Sequence, residues 1–164
     1  MQVALFAGTF DPPTLGHQEI IERAAHLFDK LYVAVAKSEG KNRRSLEHEE
    51  RMVLLKTLTK SLKNVEIIPF SGLVVNFAKE HGVDCLVRGI RNSADLDYEM
   101  QMASANRHMS GIETLCFLSS PQYSQINSTL IREIASHGRR LEGFVPSSIE
   151  KRVFELLSKP MLLS

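Results

Sequence analysis

A short apolar run, Val3–Ala7, closes at Gly8 and leads into Thr9-Phe10-Asp11-Pro12-Pro13-Thr14-Leu15-Gly16-His17. Glycine at the end of a strand lets backbone come close to a ligand, and a helix opening at Gly16-His17 offers unpaired N–H groups to an anion. Thr9 and His17 add side-chain donors suited to phosphate oxygens. A strand-to-helix turn whose histidine merely caps the helix would use the same spacing, and the residues alone leave both readings open. The turn is not a Walker loop, because the Gly-Lys-Ser/Thr ending is missing.

Three further segments carry polar groups of the same kind. Arg88 and Arg91 flank Gly89-Ile90 directly after the apolar run Val83–Val87, followed by Asp95, Asp97 and Glu99. On a helix only Asp95 and Glu99 of these acids share a face, which argues against a three-carboxylate metal cluster. Lys37 to Arg44 holds four basic residues and one acid, as a solvated charge run also would. Ile126-Asn127-Ser128-Thr129-Leu130-Ile131-Arg132 places hydroxyls at a helix start, where they and the free N–H groups can grip phosphate. The other histidines, 26, 48, 81, 108 and 137, show no ligand spacing.

These segments need elements to position them. Leu31–Ala36, Val65–Ile68, Val83–Val87 and Thr114–Leu118 read as strands beside Val3–Ala7, each a nearly continuous apolar run. Between them lie helical patterns over Gly16 to Phe28, from Ser45 (with Met52, Leu55, Leu58 and Leu62 inward), over Leu73 to His81, and over Ala94 to Met109. Helices over Leu130 to His137 and from Pro146 follow, the last with Ser147 and Glu150 at capping-box spacing and a stop before Pro160. Alternation of this kind predicts an α/β fold, a Rossmann-like doubly wound five-stranded parallel sheet with helices on both faces. Ligands of such sheets sit beyond the carboxyl ends of the strands. The segments Gly8–His17, Lys37–Arg44, Arg88–Arg91 and Ser119–Thr129 should therefore converge.

The chain's 164 residues suit one domain, 1–164, without linker or repeat. Net charge is +1, from 20 basic and 19 acidic residues, which removes the electrostatic case for a nucleic-acid partner. No run is long enough to span a membrane. The N-terminus has no signal-peptide pattern, so a cytoplasmic protein is expected. Cys85 and Cys116 sit in apolar runs and read as buried free thiols. Met100, Met102 and Met109 on one helical segment fit core or subunit packing.

The GTFDP turn with T-x-G-H resembles the signature of the nucleotidyltransferase superfamily, and residues 126–132 resemble its I-S-S-T-x-x-R motif, with Asn127 in place of a serine. Arg88 to Gln101, with Asn106-Arg107, is similar to the RGxR…D-x-x-Y-E-x-Q block of the phosphopantetheine adenylyltransferase family. That resemblance implies transfer of an adenylyl group from ATP to 4′-phosphopantetheine. It implies ATP contacts by Thr9, Phe10, His17, Gly89, Ile90, Arg91 and Glu99, and by Tyr123, Ser124, Gln125, Ile126, Asn127, Ser128 and Thr129. The acceptor would meet Thr9, Lys41, Val74 and Arg88, with Arg43 the alternative to Lys41. His17, Thr9, Lys41 and Arg88 would be catalytic. Mg²⁺ carried on the ATP phosphates and a homohexamer are implied as well. The rival readings are a sister enzyme using another phosphorylated acceptor and a nucleotide-binding module without catalysis. An intact set of phosphate-contacting residues argues against the second.

Overall fold

The structure is a computed structural model and describes residues 1–37 and 46–158. Five strands, β1 (Val3–Gly8), β2 (Lys30–Ala36), β3 (Val65–Phe70), β4 (Cys85–Ile90) and β5 (Glu113–Leu118), form one parallel sheet in the order β3-β2-β1-β4-β5. The helices are α1 (Leu15–Leu27), α2 (His48–Leu58), α3 (Val74–Glu80), α4 (Ser93–Ser110), α5 (Ser128–Ser136) and α6 (Ser147–Leu157). Strands are added outward from β1 on one side and from β4 on the other, so the crevice at the carboxyl ends of these two is the place where such a sheet accepts a ligand.

Alternation along the strands divides the core. Ala4 and Phe6 of β1 pack with Ile20, Ile21 and Ala24 of α1 and Leu55 of α2, whereas Val3 and Leu5 face Ala78 of α3 and Ile112 on the other side. A separate apolar cluster joins α5 and α6 to Leu46 and Leu54. Helices thus cover both faces, as the sequence pattern predicts.

Several details differ from that pattern. β4 runs on to Ile90, so Arg88 and Gly89 belong to the strand rather than to a loop behind it. Ser45 lies outside the described residues, and α2 opens at His48 after Glu47, which makes no side-chain cap. Ser147 caps nothing either: Pro146 holds the cap position of α6, and Glu150 accepts instead from the Leu141 amide at 3.3 Å. The thiols are free, yet neither is buried. Cys85 is partly covered and Cys116 is exposed, because β5 is an edge strand with only Phe117 well covered. Met100, Met102 and Met109 are exposed too, which removes the core explanation for them.

Candidate functional site

Two hollows meet at the carboxyl edge of β1 and β4. One, of about 540 Å³, is walled by Thr9, His17, Gly89, Arg91, Asn127, Ser128, Thr129 and Arg132. The other, of about 330 Å³, is walled mostly by apolar groups including Leu73, Val74, Met102 and Ala103. Ala7, Gly8, Thr9, Arg88 and Glu99 line both, so the two form a continuous site with a shared polar middle.

The first turn is built tightly. Gly8 is needed because a Cβ there would stand 3.1 Å from the Phe10 ring. Phe10 itself has φ 49°, a left-handed conformation rare for a bulky residue. Its ring is buried and packs edge-on to both Phe6 and His17, at 5.3 and 5.0 Å between centroids, and this packing holds the backbone in place. The ring serves as the floor beneath His17, so any contact of Phe10 with a nucleotide must come from its backbone. Gly89 allows α1 to approach, since a Cβ would meet Ile20 at 3.3 Å.

His17 takes part in capping α1 and still presents a ring nitrogen at the larger hollow. Thr14 is the N-cap of α1: its hydroxyl accepts from the His17 amide at 3.2 Å, and His17 Nδ1 accepts from the Thr14 amide at 3.0 Å. A ring nitrogen that accepts from a backbone N–H carries no proton. The neutral imidazole therefore has its proton on Nε2, which is left as a donor. Burial, then the charges of Arg91 and Arg88, hold the His17 pKa down at about 4.

An unfolded chain protonates this histidine near 6.5 and the folded one near 4, so stability is lost as pH falls from about 6.5 to about 4. Over that window the loss is roughly 3 kcal/mol. We expect an NMR titration of the ring to show a midpoint near 4, with the proton on Nε2. His17→Ala should lose less stability than the wild type over the same window. A midpoint near the ordinary 6.5 would disprove the assignment.

The arginines are fixed by the two acids that share a face of α4. Arg88 donates through Nε to Glu99 Oε2 at 2.8 Å and through a terminal nitrogen to Glu99 Oε1, while Nη1 reaches the Ala7 carbonyl at 2.9 Å. Arg91 Nε donates to Asp95 Oδ2 at 2.9 Å. Both Glu99 oxygens are thus engaged with Arg88, so Glu99 acts on the site through that arginine. Among the described residues no group of three or more His, Cys, Asp or Glu could hold a metal.

At α5, Asn127 is the N-cap and accepts from the Leu130 amide at 2.9 Å, a job its replacement of serine leaves intact. The Ser128 hydroxyl donates to Pro12 O at 2.9 Å, and Thr129 Oγ1 accepts from Arg132 at 3.2 Å. Those hydroxyls lock the helix start against the first turn. The first-turn amides of Ser128 and Thr129 have no partner within the helix, and such amides suit an anion.

The structure therefore brings together Thr9, His17, Arg88, Gly89, Arg91, Glu99 and residues 126–129, with Val74 in the apolar hollow. It does not bring Ile90, Tyr123, Ser124 or Gln125 to the walls. The Ile90 side chain is buried, the Ser124 hydroxyl donates to Pro121 O at 2.8 Å, and Tyr123 packs on the α5–α6 cluster. Lys41 and Arg43 lie outside the described residues. Three contributors went unmarked as site residues in the sequence: Thr14, Asp95 and Arg132. Thr14 stands three residues before His17, the spacing of a capping box. Arg132 is the last residue of the second motif and reaches the Asp11 carbonyl oxygen.

Residues 5–134 match the family described as cytidylyltransferase-like. The chain is 42% identical over 160 residues to a phosphopantetheine adenylyltransferase of Caldanaerobacter subterraneus subsp. tengcongensis, covering 97% of this chain and 99% of that protein. Among solved structures it resembles one assigned as a nicotinate-nucleotide adenylyltransferase from Vibrio parahaemolyticus. That likeness has a TM-score of 0.66 at 20% identity over 96% of this chain and 99% of the other. A lipopolysaccharide core biosynthesis protein from Thermoplasma volcanium GSS1 matches with a TM-score of 0.53 at 23% identity, over 73% and 97% of the two chains. At those identities the structural matches speak for the fold.

Proposed function

The chain belongs to the cytidylyltransferase-like family and, within it, to the phosphopantetheine adenylyltransferases, and from that premise we propose how its own residues carry the reaction. It is a nucleotidyltransferase of coenzyme A biosynthesis that transfers the adenylyl group of ATP to 4′-phosphopantetheine. The products are dephospho-coenzyme A and pyrophosphate. One observation supports our division of labour: a polar hollow and an apolar one share the wall of Ala7, Gly8, Thr9, Arg88 and Glu99.

The triphosphate occupies the polar side, held by Arg91 and by the amides of Ser128 and Thr129. The pantetheine arm lies in the apolar side against Leu73 and Val74, and its phosphate meets Arg88 and Thr9 at the shared wall. That phosphate is already anionic at neutral pH, so no side chain has to remove a proton. It attacks the α-phosphorus in line with the departing pyrophosphate, and the protein positions the groups and offsets their charge. The His17 Nε2–H donates to an α-phosphate oxygen, where charge builds up in the transition state. A neutral donor suits a site where burial, then the nearby arginines, depress the histidine's pKa.

Magnesium fits this cleft as an ion carried by the triphosphate. The carboxylates near the polar side, Asp95 and Glu99, are occupied by arginines. Phosphate oxygens and water would supply its ligands, as is usual for this ion, and it would offset charge on the leaving pyrophosphate.

We place this activity in one domain, 1–164, in the cytoplasm, and assign Lys41 to the acceptor phosphate. No helix among the described residues is long and apolar enough to cross a membrane. The exposed Leu115 and Leu118 of β5, with Leu96, Tyr98 and Met100 of α4, support packing between copies of the chain. The family resemblance supports a homohexamer as that assembly.

Pyrophosphate release tests this reading. With ATP and Mg²⁺, 4′-phosphopantetheine should support turnover, and nicotinate mononucleotide or glycerol 3-phosphate should not. Lys41→Ala should raise the KM for 4′-phosphopantetheine about tenfold or more, the worth of one charge-assisted contact, and leave the KM for ATP nearly unchanged. Equal weakening of both substrates contradicts the assignment of Lys41.

A further inference from the structure

Arg51 lies in the second turn of the sheet-covering helix α2, is only 2% exposed, and lines neither hollow. One terminal nitrogen donates to Thr9 O at 2.7 Å and to Ala36 O at 3.0 Å, while Nε is buried with no partner among the described residues. Among the described residues no carboxylate comes within ion-pair distance of it. A buried cation without an acid is costly, and an apolar residue of the same size would fill the space more cheaply. Core packing alone does not account for an arginine here.

The two carbonyls it holds account for it. Ala36 ends β2, and Thr9 follows the end of β1. Strand ends of a parallel sheet present carbonyl oxygens to the crevice where the phosphates of both substrates must sit. Each such oxygen carries partial negative charge close to the place proposed for an anion. Ala36 belongs to the apolar hollow and Thr9 to both, so a single guanidinium reaches the backs of both walls. His48, three residues earlier on α2, adds a contact at 3.0 Å with the neighbouring Val35 carbonyl. We propose that Arg51 is a positioning residue for adenylyl transfer: from behind the wall it fixes the Thr9 backbone and offsets the carbonyl charge of two strand ends. This rests on the reading of the two hollows as nucleotide and acceptor sites.

Without the cation, Thr9 keeps its side chain but loses its placement at the point where the substrates meet. A shift of about 1 Å at such a point costs up to about 10²-fold in rate. We therefore expect Arg51→Met to lower kcat by roughly 10–100-fold while the KM for ATP changes less than about threefold. Its melting temperature should change little, because relief of a buried charge offsets the loss of the hydrogen bonds to the Thr9 and Ala36 carbonyls. Arg51→Lys, which keeps a charge able to reach both carbonyls, should regain at least about tenfold of the lost kcat. If Arg51→Met does not fold, Arg51→Gln takes its place in the same comparison with Arg51→Lys. Retention of wild-type kcat in the neutral variant overturns the proposal. So does a loss that follows melting temperature alone and that lysine fails to reverse. Wild-type turnover with ATP and 4′-phosphopantetheine is measured alongside; its absence would count against the reading of the hollows, and its presence isolates the test of Arg51.

Discussion

His17→Ala is expected to lower kcat by about 10²–10³, the usual effect of removing one donor aimed at developing charge. Only part of the change in this variant concerns chemistry. The Nδ1 atom also accepts from the amide of Thr14, a residue that is 2% exposed. Alanine leaves that amide without its partner, at a cost of about 1 kcal/mol of stability. His17→Glu separates the two effects. A glutamate at this third helical position is the usual capping-box partner and restores the bond to the Thr14 amide. It brings no donor to the α-phosphate and adds a negative charge there. We expect melting of His17→Glu to return close to wild type while its kcat stays at or below that of His17→Ala. Near-normal turnover in His17→Ala, or recovery of rate along with stability in His17→Glu, contradicts the role given to Nε2.

His17 also marks the limit of what the residues alone could tell. Its position at a helix start behind a glycine-ended strand was readable, and capping and catalysis looked like competing uses. Geometry makes the two compatible, because capping occupies Nδ1 and leaves Nε2 as a donor. The five strands, their parallel pairing and the convergence of three segments were likewise readable from continuous apolar runs alternating with helical spacing. Strand ends were less so: β4 continues through Arg88 and Gly89 because its backbone pairs with Cys116 and Phe117 of β5, and Glu99 of α4 neutralises the arginine there, contacts that no local pattern reports. The open flank of β5 escaped for a related reason. An edge strand whose apolar residues stay exposed has the same sequence pattern as a buried one. Arg51 was hidden more completely. On the apolar face of α2 it interrupts the stripe of Met52, Leu55 and Leu58, and only the fold shows that two strand-end carbonyls wait for it.

The Arg88–Glu99 pair provides the second large effect and the sharper separation of folding from function. The Glu99 side chain is 8% exposed and that of Arg88 is 34% exposed, so the acid depends on the arginine more than the reverse. Arg88→Met strands a buried carboxylate, and we expect a stability loss of about 3 kcal/mol, the low end for breaking a buried pair, since Arg88 is partly solvated. The same change removes a charge-assisted contact with the acceptor phosphate, for an expected fall of roughly 10–100-fold in kcat/KM for 4′-phosphopantetheine. Adding Glu99→Gln to Arg88→Met eliminates the stranded charge. The double variant should regain most of the lost denaturant resistance and none of the lost kcat/KM. Glu99→Gln alone should keep Arg88 charged but less firmly held, with an intermediate loss of kcat/KM of about tenfold. If kcat/KM recovered together with stability in the double variant, Arg88 would be a structural ion-pair partner only. A rate that stays low in a restored fold leaves contact with the acceptor phosphate as the role its position at the shared wall indicates.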